Sequence, residues 1–387
     1  MIRLFSGFIF YCLGISLFAQ VTVPDWEIAY SVGRIIPHSE KFAYRPNGLS
    51  QFFRGAVLWQ TGGAHDWTRY FGFPRVGVQI YHGELGAPQQ ILGDVWSINP
   101  FLDFNIRDSN KWSFYVRTGF GLAYLTKPFH IVNNPLQTAI GSHYNISVNA
   151  SAGFQRRIGE RMCWRLGIYI AHFSNGNRKA PNLGLNIFQA DVSLRYSMYR
   201  PTRRTDLKIY ETRSKWSSQW LISYAAKEGK IIGGPSFPVV GFSGDIAYQY
   251  KPYRYVRTGM DLEYHGRTSY WLYRSELEYD THERWKKSVQ IQAFASHEWL
   301  FGDLSFEFRL GYLLSSNEIL NVFRLYNKST LLYQIPISIC QILRPNIGFC
   351  LKSYQGAADY FAMVMGLRFE RKTAKHKSNS HGDEIIK

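Results

Sequence analysis

The chain has 387 residues, of which 17% are aromatic, with a formal net charge of +17 and four cysteines. Four cysteines are too few for a disulfide scaffold, and beyond the first twenty residues no stretch approaches the ~18–20 uninterrupted apolar residues of a membrane helix. So large an aromatic content is unusual in a soluble protein and typical of transmembrane barrels, whose aromatic girdles sit at both interfaces.

Residues 1–19 read as a secretory signal peptide, with Arg3 ahead of an apolar run that ends near Ala19. From about residue 27 the dominant period is two. "WSFYVRTGFGLAY" puts Trp112, Phe114, Val116, Phe120, Leu122 and Tyr124 on one face, with Arg117, Gly119, Gly121 and Ala123 on the other. "HYNISVNASAGF" and "DLSFEFRLGYL" alternate in the same way. Runs of this length exceed the usual strand of about five or six residues and match the ~9–11 needed to cross a bilayer at a tilt. A soluble β-sandwich explains the alternation but neither the strand length nor the aromatic content. Short connections ("RIGERM", "KPY", "FGD", "LRPN") alternate with long ones at 126–142, 175–185, 266–286 and 315–328. Outer-membrane barrels show this asymmetry of periplasmic turns and external loops.

The segment "AHFSNGNRKAPNLGLN" (171–186) breaks the pattern. In "CWRLGIYIAHFS" the even positions Trp164, Leu166, Ile168 and Ile170 are apolar, and His172 and Ser174 share their face. Asn186 opens the apolar face of the next strand. Three polar side chains therefore converge on a lipid-facing surface, where unpaired polar groups cost free energy. Serine is a weak nucleophile until a histidine takes its proton, and a third group normally fixes the imidazole. Asn175, Gly176 and Asn177 offer an amide side chain and flexible backbone N–H groups to an oxyanion. Arg178 and Lys179 lie where a lipid phosphate could sit.

"HFSNGNRKAPNLGLN" resembles the active-site segment of the lipid A 3-O-deacylase (PagL) family of outer-membrane barrels. His172, Ser174, Asn175, Pro181, Asn182 and Gly184 match at the family's spacing. The resemblance implies that Ser174 is the nucleophile, His172 its base and Asn175 part of the oxyanion hole. It departs at Asn186, where the family carries its catalytic Glu. The family enzyme is an eight-stranded barrel, which residues 28–198 would cover; 199–370 add further strands without a counterpart.

The last strand, "YFAMVMGLRF", ends on Phe369 like the aromatic-terminated final strand of bacterial outer-membrane proteins, and 371–387 read as a disordered polar tail. The expected fold is all-β, a transmembrane antiparallel barrel of about 14 strands within a range of about 8–16. Roughly 16 candidates lie between residues 27 and 369, the first two being set aside. The expected function is an outer-membrane serine esterase that removes an acyl chain from lipid A, lipopolysaccharide or a related outer-leaflet lipid, using Ser174, His172 and Asn186. The scheme uses no metal and no cofactor. The alternative is a non-catalytic pore or structural barrel retaining a degenerate motif. Basic residues are dispersed among membrane-type strands rather than gathered on one patch, which fits anionic lipid and not nucleic acid.

Overall fold

The computed structural model describes residues 23–370 except 45, 64, 87, 109–111, 199–214, 230, 276–278, 316–322, 338, 340 and 341. The expected signal peptide and polar tail lie outside the described residues, as does Cys340; Cys350 is a free, buried thiol. Among the described residues, sixteen antiparallel strands form two closed barrels of eight. The first comprises β1 (Asp25–Ile35), β2 (Ser50–Gln60), β3 (Arg75–Glu84), β4 (Asp94–Asp108), β5 (Trp112–Leu125), β6 (Tyr144–Ile158), β7 (Met162–Ser174) and β8 (Leu185–Ser197). The second comprises β9 (Trp216–Glu228), β10 (Ser236–Lys251), β11 (Arg254–His265), β12 (Val289–Phe301), β13 (Leu304–Ser315), β14 (Leu325–Gln334), β15 (Leu343–Tyr354) and β16 (Ala357–Glu370).

The all-β antiparallel barrel is as expected and the strand count is the upper end of the expected range, but the strands close as two rings of eight rather than as one wall of about 14. The two strands set aside, β1 and β2, belong to the first wall. β1 pairs with β8 from Asp25↔Ser197 to Ile35↔Ile187, closing that wall before the second half begins. The second half does not widen the first barrel; β16 returns to β9 and closes its own.

Eight-stranded barrels leave an interior just wide enough for side chains to fill, and both are filled. In the first, Arg117 bridges Glu27 (2.6 Å) and Asp103 (2.7 Å), and Arg165 reaches the same two carboxylates. Above this network the external end is packed with Phe52, Tyr81, Leu92, Leu125, Phe173 and Ile187. In the second, Arg257 joins Asp245 and Glu298 at 2.6 Å, while Lys328 and Lys352 close on Glu263 at 2.8 and 2.6 Å. A cavity of about 20 Å³ beside Asp261, Glu263 and Lys328 has room for about one water. Within these networks each of the named charges is answered by an opposite one, since a lone ion in such an interior is costly.

The barrels touch at both ends. At the short-turn end, Trp67 and Phe71 of the 61–74 loop pack on Phe301, with ring centroids 6.3 and 4.8 Å apart. At the other end, the β7–β8 loop meets β9 and β16. Like end meets like end, so the long loops of both barrels open to one side.

Candidate active site

The alternation of β7 places the site. Tyr169, Ala171 and Phe173 are fully buried inside the barrel, whereas Leu166, Ile168 and Ile170 are exposed on its outer wall. Burying a Phe side chain is worth about 1.5–3 kcal/mol, and a one-residue slip would turn Phe173 outward. Burial of the odd positions thus forces His172 and Ser174 onto the outer face. β8 does the same: Leu185 and Ile187 point inward and Asn186 outward.

His172 and Asn186 face each other directly across the β7–β8 ladder, a spacing at which side chains touch. His172 Nδ1 lies 2.6 Å from Asn186 Oδ1, and Asn186 Nδ2 lies 2.9 Å from Nδ1 of His38. His38 Nε2 in turn sits 2.8 Å from the carbonyl oxygen of Leu183. A carbonyl only accepts, so His38 must carry its proton on Nε2 and accept at Nδ1. Asn186 therefore donates to His38 through Nδ2 and presents Oδ1 to His172. Neutral His172 must then be protonated at Nδ1, leaving the lone pair of Nε2 free as a base. One backbone carbonyl sets the tautomer of both histidines.

Gly184 packs against the same imidazole. It has φ +81°, and a Cβ built there would lie 3.0 Å from His172 Cε1 and 3.7 Å from Nε2. Its N–H donates to Ala139 O at 3.0 Å, which holds the glycine in place.

Ser174 is buried and ends β7, opposite Ile146 of β6. Its Oγ accepts from Gly176 N–H at 3.4 Å; no hydrogen bond joins it to His172, a contact that often tightens only with substrate bound. The other residues expected at an oxyanion hole are engaged elsewhere. Asn175 Nδ2 donates to Ser142 Oγ (3.1 Å) and Lys179 O (2.8 Å), and its backbone N–H donates to Asn182 Oδ1 (2.9 Å). Asn177 Nδ2 donates to Asp359 O of the second barrel at 3.2 Å. Both amides therefore shape the loop, and the N–H that donates to the Ser174 hydroxyl is that of Gly176. Arg178 and Lys179 are exposed, and their side chains form no ion pair among the described residues.

Sequence reasoning named Gly176 only as one of three candidate donors and missed His38 and the second-barrel residues Glu228, Asp359 and Phe361. His38 sits far from the motif in the β1–β2 loop and carries no local signal.

Among known proteins, residues 52–195 match the family model of lipid A 3-O-deacylase (PagL), and residues 214–372 match that of the acyloxyacyl hydrolase C-terminal domain. No curated protein matches the sequence. Among solved structures, the outer membrane enzyme PagL is 16% identical over 43% of this chain and 97% of its own, with a TM-score of 0.31. A BenF-like porin from Pseudomonas fluorescens Pf-5 is 9% identical over 90% of this chain and 98% of its own, TM-score 0.22. A deletion mutant of the TodX monoaromatic hydrocarbon channel is 9% identical over 92% of both chains, TM-score 0.18. Each barrel thus carries one family match, lipid A 3-O-deacylase (PagL) on the first and the acyloxyacyl hydrolase C-terminal domain on the second, and the protein is an ester hydrolase of the lipid A deacylase type.

Proposed function

We propose that the protein works in the bacterial outer membrane and cleaves an ester-linked acyl chain from lipid A with Ser174 as nucleophile. The observation that carries this reading is the Leu183–His38–Asn186–His172 chain of hydrogen bonds on the lipid-facing wall. Such a chain has no use in a purely structural barrel, because it spends four polar groups to leave one basic nitrogen at the bilayer surface.

His172 Nε2 takes the proton of Ser174 Oγ as that oxygen attacks the ester carbonyl. Gly176 N–H donates to the oxyanion, in place of the Asn175 and Asn177 amides. Collapse expels the sugar hydroxyl, which leaves with the proton from His172, and the acyl-serine is hydrolysed by water through the same base. Asn186 takes the role of the triad acid as an orienting group. Arg178 and Lys179 are placed to meet a lipid A phosphate from the exposed loop.

Lipid A from cells expressing the protein should lose one ester-linked acyl chain by mass spectrometry, relative to cells lacking the gene. Identical spectra would leave lipid A without a role as substrate. Within the relay, Asn186→Ala is expected to slow purified enzyme roughly tenfold to a hundredfold, the value of one hydrogen bond to an imidazolium. Asn186→Glu should raise the rate above wild type. A carboxylate accepts from both neighbours, so His38 donates from both nitrogens and the new anion stabilises the His172 imidazolium. Fatty-acid release assays on the three proteins check the order.

A further inference from the structure

We propose that the second barrel is a positioning element for the ester-cleaving site on the first, acting through Glu228 of β9 and the bulge at Asp359 of β16. The proposal rests on the assignment of Ser174 as nucleophile. The closing seam of the second barrel is incomplete at its external end. β16 and β9 pair from Glu370↔Ser217 up to Met363↔Tyr224 and no further, although β9 continues to Glu228. The active-site loop of the first barrel fills this gap. Gly176 O accepts from Phe361 N–H at 3.0 Å, and Arg178 O accepts from Glu228 N–H at 3.2 Å. Two carbonyls of the loop thus replace the missing rungs between the two strands.

Side chains complete the grip. The Glu228 carboxylate accepts from Ala180 N–H, and Asn177 Nδ2 donates to Asp359 O. Asp359 is an extra residue: Lys352 pairs with Tyr360 but Ser353 with Ala358, so β16 bulges there. Bulges re-aim groups near functional sites. Here the Asp359 carboxylate turns to Lys227 and its carbonyl faces the neighbouring barrel. Gly176 has φ +63°, and a Cβ on it would lie 2.3 Å from Phe361 Cβ, so the two backbones approach as closely as glycine permits. The residue held at this seam is the one whose N–H points at Ser174 Oγ. The second barrel therefore fixes an oxyanion donor that a free ten-residue loop would leave mobile.

The test uses full-length protein in detergent, with purified lipid A as the probe and heat-modifiable gel migration as the check on folding. Glu228→Ala is expected to lower kcat about tenfold, with KM within about twofold of wild type. Glu228→Gln should recover most of that loss, because its amide oxygen still accepts from Ala180 N–H. Asn177→Ala should lower kcat about fivefold and provides the answer if Glu228→Ala fails to fold. Rates within twofold of wild type for the folded variants would overturn the proposal. A faster enzyme would also overturn it, since the contact would then be a restraint to be released. Ser174→Ala separates the readings: if it is inactive while the Glu228 and Asn177 variants are unimpaired, only the seam fails. If it retains full activity, the nucleophile assignment fails first.

Discussion

Ser174→Ala is expected to reduce fatty-acid release from lipid A by roughly a thousandfold or more, to the level of any residual catalysis by binding and the oxyanion donor. No neighbouring group can substitute. His172 is left with only water to deprotonate once the hydroxyl is gone, and the cross-strand neighbour of Ser174 is Ile146. His172→Ala should cost as much, and the double variant no more than either alone, because nucleophile and base act as one unit. Single-turnover release of fatty acid by purified protein is the measurement. Equal rates for wild type and Ser174→Ala would remove Ser174 from the chemistry.

Gly184→Ala is expected to slow the enzyme by about a hundredfold while leaving the barrel folded, because it displaces the base rather than removing it. The new methyl group would meet His172 Cε1 at 3.0 Å, and φ +81° is unfavourable for alanine. Relief by moving the backbone would break the bond from Gly184 N–H to Ala139 O. The imidazole has to give way instead, losing its alignment with Asn186 Oδ1. Gly159→Ala is the matched control. It carries similar strain, φ +63°, in the β6–β7 turn, but an added Cβ there has no atom within 4 Å. It should lower stability by about 1 kcal/mol and leave the rate untouched. If both alanines reduce activity equally, backbone strain and not the imidazole contact is responsible.

Period-two patterning made most of the walls legible. "WSFYVRTGFGLAY" became β5 almost residue for residue, and "DLSFEFRLGYL" became β13. The same patterning put His172, Ser174 and Asn186 on the outer face, where burial of Phe173 and Ile187 holds them. Closure was not legible. Whether β8 turns back to β1 or passes on to β9 depends on a pairing between residues some 160 apart, such as Ile28↔Leu194. An inward-facing strand carries the same alternation in either case. The contacts of the expected oxyanion donors were hidden for a related reason. Asn175 and Asn177 are suitable oxyanion ligands by residue type, but their partners, Ser142 and Asp359, come from other parts of the chain. His38 was invisible because its role exists only once β1 lies beside β8.

The filled interiors have a consequence for the cell that carries this protein. A sixteen-stranded wall closed as one ring would surround a water-filled bore and let small solutes through. Divided into two rings of eight, the same strands enclose interlocked ion pairs such as Arg117–Glu27 and Lys352–Glu263. A membrane can then hold many copies without loss of its permeability barrier. A lipid-remodelling enzyme built this way alters the leaflet around it and opens no leak through itself.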